Sequence, residues 1–213
     1  MKVTVIYDNE VLEKGLKADW GFACLVETAR APRILFDTGT DGSILLHNME
    51  KLGLDPRTIQ EVFISHAHLD HMGGLADLLQ LNREIKVYIP NSCPRPSGAK
   101  EVVSIKSPLQ IHADIFSTGE LKGIEQSLVV RTEEGLVVID GCSHPGVGTI
   151  LQAASKFGKL HALIGGLHGF REFELLQGLK LVCPCHCTQF KAEIEHLFPE
   201  KYLACGAGRV LEI

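Results

Sequence analysis

The chain has 213 residues, 45% of them hydrophobic and 22% charged, and 21 Lys and Arg against 26 Asp and Glu give a formal net charge of −5. A chain of this size buries about 70% of the surface that its unfolded form exposes, so core size is no constraint. The mild acidity excludes a broad basic surface of the kind that displaces counterions from nucleic acid, and no apolar run approaches the roughly 18 residues that would span a bilayer.

Two counts stand out, 10 His and 7 Cys. Met1 to Asp8 carries one basic residue and an apolar run too short for a signal-peptide core, so a soluble, cytoplasmic protein is expected. In that reducing compartment an odd number of cysteines reads as thiols or ligands, not as a disulfide framework. The expected partner is a small-molecule substrate, not nucleic acid or a membrane, and the oligomeric state stays open.

Short β-branched runs predict strands at 3–7, 22–27 and 34–36, the last ending in Asp37-Thr38-Gly39-Thr40. Residues 43–52 carry Ile44, Leu45, Met49 and Leu52 near helical spacing, and Gly53 suits the C-terminal cap. A buried strand at 61–65 runs straight into His66, followed by a helix over 74–81 and a strand over 86–89. Residues 91–100 contain Pro94, Pro96, Ser97 and Gly98 and read as a loop between two halves of one domain, about 1–95 and 96–213. The second half alternates in the same way, with strands at 127–131 and 136–139, a helix at 148–157, a strand at 161–164 and a helix around 172–177. A strand at 180–183, a helix at 189–197 and a closing pair of strands at 202–205 and 209–211 complete it. Hairpin-like pairs among alternating strands and helices suit layered α/β with mixed sheets better than a doubly wound parallel sheet.

The strongest local signal is Ser65-His66-Ala67-His68-Leu69-Asp70-His71-Met72-Gly73-Gly74-Leu75. On extended backbone, residues two apart face the same side, so His66 and His68 can offer their rings to one ion. Asp70 and His71 project elsewhere as the chain turns toward the helix and can face a second ion nearby, the arrangement of a two-metal site. Three further predicted strands end in a histidine motif: Gly141-Cys142-Ser143-His144-Pro145-Gly146, Gly165-Gly166-Leu167-His168 and Pro184-Cys185-His186-Cys187-Thr188. Sites in α/β proteins collect beyond the carboxyl ends of strands, so these motifs are expected to converge. His47, His112, His161 and His196 lack that context and read as ordinary surface or core residues. Cys142, two residues before His144, is either a thiolate that binds or bridges metal or a small packing residue. Cys183, Cys185 and Cys187 alternate and read as packing behind the site, and Cys24, Cys93 and Cys205 as structural or incidental. Asp37 is either a turn-capping residue or an acceptor that orients a ligand histidine.

The run His66-x-His68-x-Asp70-His71 resembles the signature of the metallo-β-lactamase-fold hydrolases. The later motifs, with Asp37, are similar to the branch of metal-dependent hydrolases related to archaeal dihydropterin ribofuranosylaminobenzene 5′-phosphate synthase. The resemblance implies an α/β fold in four layers, the αββα sandwich, with metals at one edge. Two departures stand out: Cys142 follows Gly141 where many members place a metal-bridging Asp, and Glu125-Gln126 stands where an upstream His is usual.

The implied function is hydrolysis by a dinuclear metal-activated hydroxide on a phosphate-bearing or other small anionic substrate. His66, His68 and His144 would hold one ion, and Asp70, His71 and His186 the other. Asp70 would also accept a proton, and His168 would contact substrate or donate to the leaving group. Zinc is the expected metal, with iron or manganese as alternatives. Two other functions compete: iron-dependent redox or oxygen chemistry on the same scaffold, and non-catalytic metal binding.

Overall fold

A computed structural model describes residues 1–213. Its strands alternate faces with a period of two, and both faces are covered, which is why they read as unbroken apolar runs. β1 (Lys2–Tyr7), β2 (Ala23–Glu27), β3 (Ile34–Phe36), β4 (Glu61–Phe63), β5 (Lys86–Pro90) and β6 (Glu101–Ile105) form one sheet in that order. A second sheet holds β7 (Leu109–His112), β8 (Ile115–Ser117), β9 (Leu128–Arg131), β10 (Leu136–Asp140), β11 (Leu160–Gly166) and β12 (Leu181–Cys185). The chain then returns to the first sheet, where β13 (Val210–Glu212) pairs antiparallel with β1. Both sheets are mixed. Pairing is parallel from β3 to β6 and from β10 to β12, and antiparallel elsewhere.

Val3, Val5, Cys24, Phe36 and Phe63 of the first sheet meet Leu128, Val130, Val137, Ile139 and Ile164 of the second in the central core. The intervening residues face outward. Ile6, Leu25, Leu35 and Val62 pack under α1 (Gly42–Lys51) and α3 (Leu75–Leu81), and the short α2 (Leu69–Met72) carries the chain from β4 into α3. Val129, Val138, Leu163 and Val182 pack under α4 (Val147–Ala154) and α5 (Lys191–Leu197). The result is the expected four-layer αββα sandwich. No helix is long and apolar enough to cross a membrane.

The structure differs from the sequence reading in several places. The chain crosses between sheets after β6, between Ile105 and Leu109, and not in the 91–100 loop. β6, β7 and β8 had no predicted counterpart; β7 is half exposed along its length, so it carries no apolar alternation. The expected strand at 202–205 is reduced to one bridge, Tyr202 with Val182. The expected helix near 172–177 is a single 3₁₀ turn, Phe173–Leu176. Asp70 and His71 lie within α2, before the expected helix start. Gly73 lets this turn press on the neighbouring loop, since a Cβ there would stand 2.1 Å from the Thr40 carbonyl oxygen.

The cysteine reading also needs correction, because Cys185 and Cys205 form a disulfide, with Cα atoms 5.1 Å apart. The end of β12 and the segment before β13 meet only through the sheet return, so spacing in sequence does not reveal the pair. Cys24, Cys93, Cys142, Cys183 and Cys187 are free and buried.

Phe63, in the strand that leads to His66, is fully buried and stacks on Phe36 at a centroid distance of 5.6 Å. Phe63→Ala is expected to lower unfolding stability by about 3–5 kcal/mol, read as a drop in the urea midpoint at unchanged slope.

Candidate metal centre

Four strand ends deliver the site: β4 leads to His66 and His68, β10 to His144, β11 to His168 and β12 to His186. Beyond β4, His66 Nε2 lies 3.1 Å from His68 Nδ1 and 3.2 Å from His144 Nε2. On α2, Asp70 Oδ2 lies 3.2 Å from His186 Nε2 and 3.7 Å from His71 Nε2. Ligands held about 2.0 Å from a tetrahedral ion stand about 3.3 Å apart, so these four separations suit coordinating atoms. His66 and His71 sit side by side with ring centroids 4.1 Å apart, making the two sets neighbours.

Hydrogen bonds on the far side of the rings set which nitrogen points inward. Ser65 Oγ donates to Asp37 Oδ2, so it is free to accept from His66 Nδ1 at 2.9 Å. His71 Nδ1 donates to Asp37 Oδ2 at 2.7 Å, and His186 Nδ1 donates to Asn9 Oδ1 at 2.9 Å. All three rings therefore turn an unprotonated Nε2 toward the centre. His66 Nε2 has one lone pair facing two other ring nitrogens, an arrangement that a shared cation would satisfy. The donor set fits divalent metal ions.

Cys142 lies between the two sets, with its Sγ 3.1 Å from His71 Nε2. Its Sγ falls within 4.8 Å of the ligand atoms of Asp70, His71 and His186, and likewise of those of His66 and His144. It also contacts Cys187 at 3.4 Å, so Cys187 faces the centre and does not pack behind it with Cys183. His168 belongs to the rim: its ring centroid is 4.7 Å from that of His144, and its buried Nε2 has no hydrogen-bond partner. His168 and His186 both hold positive φ angles of 45°, so each strand end turns sharply to present its ring.

Burial favours the neutral form of these histidines. It depresses His66 and His71 well below the usual imidazole range, and burial with His168 nearby brings His144 down to about 4. Burial works to raise the Asp70 carboxyl, but the His186 hydrogen bond and the adjacent His71 and His186 hold it low. Glu125, raised by burial and by Asp140, accepts from the backbone N–H groups of Cys142 and His144 at 2.7 and 2.8 Å. It thus fixes the loop that presents both residues. Burial brings Asp140 up to about 6, although it accepts from the hydroxyls of Ser127 and Ser143.

Every site residue expected from sequence is brought to this edge: His66, His68, Asp70, His71, His144, His168 and His186, with Asp37 and Cys142. His47 and His112 lie elsewhere, bonded to the Gly15 carbonyl and to Glu61, and His161 and His196 are in none of the ligand groups. Sequence reasoning missed Asn9, Ser65, Asp8 and Trp20 and gave Glu125 no role. Asp8 Oδ2 accepts from His186 N at 2.9 Å, and Trp20 Nε1 donates to Asp70 Oδ2 at 3.0 Å. Ser65 adjoins the motif and was within reach of a local argument, but Asn9 lies 177 residues from His186.

The chain has the metallo-β-lactamase fold. The model of the metallo-β-lactamase superfamily matches residues 21–120. A homologue from Methanocaldococcus jannaschii is 27% identical over 84% of each chain; it is named 7,8-dihydropterin-6-methyl-4-(β-D-ribofuranosyl)-aminobenzene-5′-phosphate synthase. The crystal structure of Tm1679, described as a metal-dependent hydrolase of the β-lactamase superfamily, superposes with a TM-score of 0.81 at 27% identity, covering 100% of this chain and 99% of that one. Short-form human tRNase Z shares the fold at 14% identity, with a TM-score of 0.65, 100% of this chain and 99% of that one covered.

Asn9→Ala removes the acceptor for His186 Nδ1 and leaves the His66 set untouched. Metal titration is expected to show one ion bound about 10–100-fold more weakly and the other unchanged.

Proposed function

We propose that the protein is a metal-dependent hydrolase that uses two divalent ions, with zinc as the metal, on a small phosphate-bearing or otherwise anionic substrate. The observation that carries this reading is the pair of neighbouring ligand sets, in which His66 Nε2 lies 3.1 and 3.2 Å from His68 and His144 and Asp70 Oδ2 lies 3.2 and 3.7 Å from His186 and His71. His66, His68 and His144 hold one ion, and Asp70, His71 and His186 hold the other. The Cys142 Sγ lies within 4.8 Å of donor atoms of both sets and would be available to the ions as a thiolate, since a thiol that coordinates such an ion is deprotonated. Bound there, the ions supply a water of lowered pKa and polarise the group under attack.

The chain's own residues do the rest. Asp37, Ser65 and Asn9 keep the ligand rings oriented, and Glu125 holds the Cys142–His144 backbone in place. Asp70, part-exposed, presents a carboxylate whose Oδ2 meets His71 and His186 and which would accept a proton from the water. His168, with its free Nε2 beside His144, contacts the substrate or donates to the leaving group. The phosphate-bearing substrate is supported by the homologue, whose name contains a 5′-phosphate, and hydrolysis by the description of Tm1679.

Asp70→Ala and His186→Ala are each expected to reduce metal content from two ions to about one and to abolish turnover on a panel of phosphodiesters, cyclic phosphates, lactones and thioesters. Unchanged metal content in the His186 variant would remove that residue from the site. Stoichiometric iron with an optical or spin signal in anaerobically purified protein would replace the hydrolytic reading with redox chemistry. Full metal loading without turnover on any of the panel would leave a metal-binding protein.

A further inference from the structure

Trp20 is the chain's one tryptophan, and at 57% exposure it stands at the mouth of the metal centre. Exposing an indole forgoes favourable burial, and Phe22, two residues on, is fully buried. The backbone around Trp20 is pinned on both sides. Asn9 Oδ1 accepts from Gly21 N at 3.1 Å, Thr40 Oγ1 donates to the Trp20 carbonyl, and Phe22 N donates to the Asp70 carbonyl at 3.2 Å. Gly21, at φ 146°, fits a space where a Cβ would come within 2.6 Å of the Asp70 oxygen.

The ring itself is held as firmly. Its Nε1 donates to Asp70 Oδ2 at 3.0 Å, and it meets the His186 ring at 4.8 Å and 61°. With these contacts made, the residue still remains more than half open to solvent. Such an arrangement keeps a large π surface in one orientation beside the reacting centre, which lowers the ordering cost of stacking a ligand on it.

We propose that Trp20 is the substrate-binding wall of this centre and takes a flat, conjugated ring of the substrate. The inference rests on the metal-centre reading above, because the ions hold the anionic end of the same molecule. The Asp70 carboxylate adjoins the indole, so a neutral or electron-poor ring is preferred over an anionic one. Trp20 is thereby a specificity residue: it selects a planar acceptor over an aliphatic one of equal charge.

The test uses the zinc-loaded full chain and two probes, quinoxaline-6-carboxylate and cyclohexanecarboxylate, measured by calorimetry on wild type, Trp20→Phe and Trp20→Ala, with zinc content determined for each. Wild type is expected to prefer the planar acid. Trp20→Phe, which keeps a ring but loses the indole N–H, should stay within about threefold, and Trp20→Ala should bind the planar acid about tenfold or more weakly. The saturated acid should bind all three alike. The proposal is overturned if the Ala variant binds the planar acid as wild type does, if the Phe variant is as weak as Ala, or if zinc-loaded wild type shows no preference. A wild-type chain that retains no zinc overturns this inference and the metal-centre reading together; a loaded chain without preference overturns this inference alone.

Discussion

Asp37 ends β3 in a left-handed backbone conformation, with φ 54° and no exposed surface, and three donors converge on its carboxyl group. Ser65 N–H and Ser65 Oγ–H come from the end of β4, and His71 Nδ1–H from α2, all at 2.7 Å. Burying a carboxyl is costly unless it is fully hydrogen-bonded, so these partners are obligatory. Satisfying them sets the path of the chain from β4 into α2 and turns His66 and His71 inward. Burial pushes the Asp37 carboxyl up while the Ser65 donors pull it down, so the group depends on their remaining in place.

The same logic recurs around the centre. Asn9 and Asp8 fix His186 from the end of β1, and Glu125 fixes Cys142 and His144 from the segment before β9. Each anchor comes from an element other than the one that carries the residue it holds. Buried carboxyls therefore surround a group of rings that burial keeps neutral. Divalent cations bound at the middle would compensate this excess of acceptors.

Much of this was legible in the sequence. His66, His68, Asp70 and His71 are neighbours along the chain, and His144, His168 and His186 each follow an apolar strand, so strand-end logic was enough to gather them. Layered α/β with mixed sheets followed from hairpin-like pairs among alternating strands and helices, and the αββα order from the resemblance carried by the histidine motifs. What stayed hidden depends on distant pairing. The Asn9 contact with His186 and the Cys185–Cys205 disulfide link segments brought together by the sheet return, and β7 is too exposed to leave an apolar pattern. Cys142 was ambiguous for a related reason: a single thiol at a strand end looks the same whether it packs or bridges, and only its position between the two ligand sets separates these roles.

The central claim is that one edge of the sandwich holds two ions between two distinct ligand sets. Anomalous scattering at the zinc and iron edges from crystals of the metal-loaded protein tests it most directly. The account predicts two zinc peaks about 3.5–4 Å apart, one enclosed by His66, His68 and His144 and the other by Asp70, His71 and His186. A single peak, or metal held only outside these two sets, would contradict it.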